Sequence, residues 1–121
     1  MVVNKDGGIK MVDVTDNVIT IVRGDTLEIP IFIKTSAGTE FKPSEGDVIR
    51  FAIKASYSKT SPVLINKIIP SDTMILRLES CETKQLQARK KNYVYDIELT
   101  TAEGYVDTFI RSELKVLEEV W

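Results

Sequence analysis

The 121-residue chain contains no histidine. Its absence removes the commonest general base, the serine and cysteine triads that depend on it, and most zinc sites. The remaining carboxylate chemistry needs two acids converging in a concave site. Asp96 and Glu98 instead stand two positions apart in an alternating segment, which places both on one face of a strand, where solvation accounts for them. Cys81 would act as a nucleophile only beside a base or at a helix N-terminus that lowers its pKa. It does fall at a predicted helix start, but without histidine it reads as a structural thiol. Gly7-Gly8 and Gly24 lack the spacing and the strand-loop-helix setting of a phosphate-binding fingerprint, and Asp13-Val14-Thr15-Asp16 lacks the spacing and glycine of a helical calcium loop. Tyr93 and Tyr95 have the chemistry of a sugar-stacking platform, yet they hold inward positions and read as core. Arg23-Gly24-Asp25 is the integrin-binding tripeptide. The same residues make a tight turn flanked by two solvated charges, and that is the preferred reading. No residue is therefore assigned a catalytic, cofactor-binding or metal-ligating role, and a non-enzyme without cofactor is expected.

These side chains must be positioned by a single domain, since a chain of this length buries roughly two-thirds of its extended surface around one core. Hydrophobic residues at 43% and charged residues at 28% exclude a disordered or fibrous chain. The net charge of −2, with the signs interspersed, gives no reason to expect nucleic acid or an anionic membrane as partner. The most basic run, Arg89-Lys90-Lys91, is short and reads as a solvated turn. With one cysteine no intrachain disulfide forms, so packing holds the fold. The start lacks the apolar core of a signal peptide and no apolar run approaches the ~20 residues that span a bilayer, so a product made in the cytoplasm and soluble afterwards is expected.

The elements follow from period-two alternation. Residues 92–112 read as a β-hairpin: Tyr93, Tyr95, Ile97 and Leu99 face one side, Val94, Asp96, Glu98 and Thr100 the other, and Thr101-Ala102-Glu103-Gly104 makes the turn. A four-residue loop sets Leu99 opposite Val106, Ile97 opposite Thr108 and Tyr95 opposite Ile110, and it leaves Glu98 against Asp107. Strands are also predicted over 18–22, 27–34, 48–54, 63–69 and 74–79, with 113–120 continuing the second hairpin strand. Pro30 marks a sheet edge or bulge, and the interrupted alternation between Asn66 and Ile68 makes a bulge plausible there. Residues 35–47 read as a loop. Residues 80–87 are the one place for a helical turn, of two turns at most, with Ser80 as cap, Glu82 near the helix N-terminus and Leu86 inward.

The result is an all-β chain, an immunoglobulin-like antiparallel β-sandwich of seven to eight strands with one short helical turn, in which residues 17–121 are one domain and residues 1–16 an N-terminal arm. Ile9, Met11 and Val14 of the arm have the composition of a short edge strand. A partly open barrel is the alternative.

Three segments, Ile19-Thr20-Ile21-Val22-Arg23-Gly24-Asp25-Thr26-Leu27, Gly46-Asp47-Val48-Ile49-Arg50-Phe51-Ala52-Ile53-Lys54 and Tyr93-Val94-Tyr95-Asp96-Ile97-Glu98-Leu99, follow one another as signatures of one family. They resemble small β-sandwich proteins of phages and prophages of Gram-positive bacteria, similar to the N-terminal domain of the phage baseplate upper protein family, over roughly residues 17–117. The resemblance implies a non-enzymatic virion component of the tail or baseplate, made in the host cytoplasm, whose partners are other virion proteins or copies of itself. Family members carry glycine before the tyrosine strand where this chain has Lys90-Lys91-Asn92. Baseplate proteins continue into a receptor-binding-protein segment where this chain reaches Trp121, so a receptor-binding role is not implied. Edge pairing through the Pro30 strand and residues 114–120 is the expected route of assembly. The rival reading is a carbohydrate-binding or adhesive module of the bacterial surface, which needs Tyr57, Tyr105, Phe109 and Trp121 exposed in a row.

Overall fold

The computed structural model describes residues 2–4, 9–10, 18–34 and 39–118. Ten strands lie in this part: β1 (Val2–Asn4), β2 (Ile9–Lys10), β3 (Ile19–Val22), β4 (Leu27–Pro30), β5 (Phe32–Lys34), β6 (Val48–Lys54), β7 (Val63–Ile69), β8 (Ile75–Leu78), β9 (Tyr93–Thr100) and β10 (Val106–Leu117). One helical turn, α1 (Ser80–Thr83), separates β8 from β9. The order β3-β10-β9-β6-β7 forms a five-stranded sheet, while β4 pairs with β8 and β2-β1-β5 form a third group. The chain passes between layers at each of the β3–β4, β5–β6, β7–β8 and β8–β9 connections, a Greek-key path, and the architecture is an immunoglobulin-like β-sandwich.

Alternation explains the core. Ile49, Phe51 and Ile53 of β6 and Tyr95, Ile97 and Leu99 of β9 are buried, and Ile29, Ile31, Ile33, Leu76 and Leu78 meet them from the facing layer. The rings of Phe51 and Tyr95 lie 5.4 Å apart at 37°, a tilted contact at the centre of the five-stranded sheet.

Several expectations are refined. The predicted strand over 27–34 is divided at Ile31 into β4 and β5, with the Ile31 amide donating to the Met74 carbonyl at 2.8 Å, one position beyond the Pro30–Ile75 pair of the β4–β8 ladder. Pro30 sits opposite Ile75, at the end of a two-stranded pair whose outer sides carry no strand among the described residues. The arm contributes β1 and β2, with β1 parallel to β5; Met11 and Val14 lie outside the described residues. Not every pairing is antiparallel, because β3 also runs parallel to residues 114–117 of β10. That pairing corrects the expected edge in part: residues 114–117 are covered on one side by β3, Leu114 also pairs with Tyr93 of β9, and the outer strands of the sheet are β3 and β7.

The hairpin register is also corrected. Thr101 and Tyr105 remain paired, the Thr101 amide donating to the Tyr105 carbonyl at 2.8 Å, and the loop holds three residues, closed by Gly104 at φ 89°. One residue fewer in the loop turns Val106 and Thr108 outward, and Asp107 stands opposite Leu99. Glu98 consequently faces Thr108, and on its other side Arg50, at 3.6 Å, so the expected like-charge pair with Asp107 does not form. A bulge at Phe109 then restores apolar pairing by setting Ile110 opposite Ile97, and both Phe109 and Ile110 are buried.

A second loop grips the hairpin tip. Asp47 accepts the Ser44 amide at 2.9 Å and the Ala102 amide at 3.3 Å. Gly46, at φ 88°, lies so near this tip that a Cβ would stand 2.7 Å from the Ala102 Cβ. Gly46→Ala combines left-handed strain with that clash and is expected to cost about 1–3 kcal/mol by urea unfolding. A loss within experimental error would contradict this close approach.

Candidate interaction surface

Arg23-Gly24-Asp25 is a structural clasp. The turn closes by the Asp25 amide donating to the Val22 carbonyl at 3.0 Å, with Gly24 at φ 89°. Arg23 Nε donates to the Leu86 carbonyl at 2.9 Å and its Nη2 to the Lys84 carbonyl at 2.8 Å. Thr83, fully buried, accepts the Gly24 amide through Oγ1 at 3.1 Å and donates to the Asp25 carbonyl at 2.7 Å, while Ser80 Oγ donates to the Gly24 carbonyl at 2.6 Å. An adhesion tripeptide presents its arginine to a receptor; here the guanidinium is held by the chain's own carbonyls.

The helical turn is shorter than the two turns allowed, and its cap is Glu79 rather than Ser80, which is the first helical residue and spends its hydroxyl on the clasp. Glu82 fulfils the acidic role expected of it, accepting the Glu79 amide at 2.9 Å. Leu86 is buried as expected and Cys81 is exposed. The basic turn is engaged with backbone, Arg89 donating to the Ala55 carbonyl at 2.6 Å and lying 4.0 Å over the Tyr93 ring. Tyr93 and Tyr95 belong to the core, and the Tyr93 hydroxyl accepts the Gln87 amide at 2.9 Å. Burial pushes the Tyr95 hydroxyl well above the ordinary tyrosine range.

The exposed aromatic row does not assemble among the described residues. Phe109 is 1% exposed, a correction forced by the bulge in β10, and Trp121 lies outside the described residues. Tyr57 and Tyr105 are exposed, but they flank opposite ends of the β6–β9 pair, about 20 Å apart at strand rise. Asp13 and Asp16 lie outside the described residues as well. Among the described residues, no group of three or more cysteines and acids stands close enough to hold a metal ion, and no helix is long and apolar enough to cross a membrane.

What the fold does build is the outer face of the five-stranded sheet next to the β7 edge. A groove of about 240 Å³ runs over Ala52 and Val94, walled by Arg50, Lys54, Tyr57 and Asn66, with Val63 at the β7 side. Tyr57 closes one end, its hydroxyl donating to the Ser112 carbonyl at 3.2 Å and its ring 4.5 Å beneath the Arg111 guanidinium. Burial raises the Tyr57 pKa, partly offset by Arg111.

Asp96 lines this groove. Burial first, and Glu98 second, raise its carboxyl pKa above the ordinary range, against the opposing pull of Arg111 and Lys54. A raised folded pKa makes the acid's contribution to stability complete below its unfolded value and lost as pH rises through the folded one. Asp96→Asn is therefore expected to stabilise the protein at pH 7 by roughly 0.5 kcal/mol after solvent screening, an advantage that disappears in acid. Thermal melts at pH 7 and at pH 3 check this; a variant less stable at pH 7 would contradict it.

No family model and no curated protein matches the chain. A solved structure from a study of multimeric cell-adhesive interactions of VGSC beta subunits is similar over 90% of this chain and 100% of that chain, at 15% identity and a TM-score of 0.41. The sandwich itself rests on strand order and burial.

The groove opens directly onto β7, whose far side carries no strand among the described residues. Val63, Leu64 and Ile68 are 52%, 41% and 63% exposed, so three large apolar side chains project from one seven-residue edge strand. The expected bulge exists, but at Leu64 rather than between Asn66 and Ile68. Lys67 stands opposite the core residue Phe51, half-buried, and its Nζ meets Glu82 at 3.0 Å. That inward charge is what interrupted the alternation. The ion pair joins the edge of one sheet to the turn below the other.

Proposed function

We propose that this protein is a non-enzymatic assembly module of a phage particle, acting in the tail or baseplate through protein–protein contacts made by the β7 edge and the adjoining outer sheet face. The observation that carries the reading is the edge itself. An unpaired strand offers a row of backbone donors and acceptors, and here it carries three exposed apolar side chains beside an accessible groove. The resemblance of the Ile19, Gly46 and Tyr93 segments to baseplate β-sandwich domains supports the virion setting. The chemistry of the described residues agrees: the acids Asp96 and Glu98 lie on an open sheet face, and the cysteine stands exposed on a single helical turn.

The test is compositional. Particles purified through a density gradient from the phage encoding this chain are expected to contain it at a fixed ratio to the other tail proteins by quantitative mass spectrometry. Recovery of the chain only in the particle-free lysate would overturn the assignment.

A further inference from the structure

The β7 segment has a symmetry that the assembly reading does not require. From Pro62 to Pro70 it reads Pro-Val-Leu-Ile-Asn-Lys-Ile-Ile-Pro, and Asn66 stands at its centre with a proline four residues away on either side. A two-fold axis at Asn66 pairs Leu64 with Ile68 and Ile65 with Lys67, while the bulge at Leu64 leaves Val63, turned outward, beyond the regular pairing with buried Ile69. The exposed apolar residues thus meet each other: Leu64 and Ile68, 41% and 63% exposed, face their counterparts across the seam. Lys67 is held inward by Glu82, and its aliphatic stem lies opposite Ile65. Proline cannot donate to a ladder, so Pro62 and Pro70 bound the pairing on either side.

We propose that β7 pairs antiparallel with β7 of a second copy of this chain about Asn66, joining two five-stranded sheets into one continuous sheet. This rests on the assembly reading and names its partner. An isologous contact of this kind is self-complementary by construction and closes at two copies. A single strand pair falls in the size class of transient interfaces, so a covalent trap at the axis is the appropriate probe.

Residues directly opposite in an antiparallel pair have Cα atoms about 4.5–5.5 Å apart, within disulfide reach. The full chain carrying Asn66→Cys, with Cys81→Ser to remove the native exposed thiol, is oxidised mildly and compared with Thr60→Cys in the same background. Both sites are exposed, so neither change threatens folding. The axial cysteine is expected to form disulfide dimer about tenfold faster than the control, through the raised effective concentration. Adding Ile68→Lys, which sets a charge against Leu64, is expected to return it to the control rate. Equal rates at the two positions, or a rate insensitive to Ile68→Lys, would overturn the β7 pairing. If the chain is nevertheless recovered in particles, the assembly reading survives with a different partner for this edge.

Discussion

Phe51→Ala is expected to lower the unfolding free energy by about 3–5 kcal/mol, the range for removing a large aromatic from a packed interior. Phe51 is 0% exposed, sits midway along β6 opposite Ile97 on one side and Lys67 on the other, and stacks on Tyr95 at 5.4 Å. Two costs combine: the apolar transfer of the ring and the cavity left between two sheets that cannot both collapse onto an alanine. Lys67 adds a third, since its stem lies beside the vacated space on an edge strand. The measurement is urea unfolding, with the slope expected to stay constant. A loss under 1 kcal/mol would mean that the core is centred elsewhere.

The second large effect falls on the clasp. Thr83→Val keeps the shape of the side chain and removes only its hydroxyl, which serves both the Gly24 amide at 3.1 Å and the Asp25 carbonyl at 2.7 Å. Thr83 is fully buried, so the Gly24 amide and the Asp25 carbonyl, both part-buried at this contact, lose their partner. A loss of about 1–3 kcal/mol is expected, the range for one buried group left unsatisfied, since water can reach the exposed Asp25. Cys81→Ser, two residues earlier and exposed, serves as the control and is expected to change stability by less than about 0.5 kcal/mol. If the two variants unfold at the same urea concentration, the clasp does not stabilise the fold. The pair of variants also bears on the tripeptide, because a turn whose amide and carbonyls are bound to α1 is built for structure.

Much of the fold was legible because alternation is a local property. β6 and β9 show it, and their buried residues are the ones that the spacing selects, with Val94 on the outer face of β9 buried as well. The hairpin register was less legible, since a single residue in the turn inverts every side chain beyond it. The bulge at Phe109 compensated for that inversion two residues later, a correction that no strict period contains. Lys67 broke the pattern of β7 for a reason lying 15 residues onward, at Glu82. The clasp was illegible in the same sense: Arg23 finds its carbonyls 61 and 63 residues away, and nothing near Arg23 announces them. The tripeptide's local reading as a turn was sufficient, and its anchoring came only with the packing of α1 against it.

The candidate surface was legible in outline only. Edge pairing was the expected mode of contact, but proline pointed to β4, whereas the outer strand carrying three exposed apolar side chains is β7. Two features hid it. The prolines at 62 and 70 bracket the strand instead of interrupting it, and the bulge at Leu64 turns apolar residues outward that alternation alone would have divided between the faces.

The proposed mode of action is contact through the β7 backbone edge. Hydrogen–deuterium exchange on dilute protein and on assembled particles tests it most directly. The account expects the peptide covering Val63–Ile69 to exchange faster than Tyr93–Thr100 in the dilute protein, and to become protected on assembly while Tyr93–Thr100 is unchanged. Exchange over Val63–Ile69 that is the same in both states, with new protection confined to other segments, would contradict it.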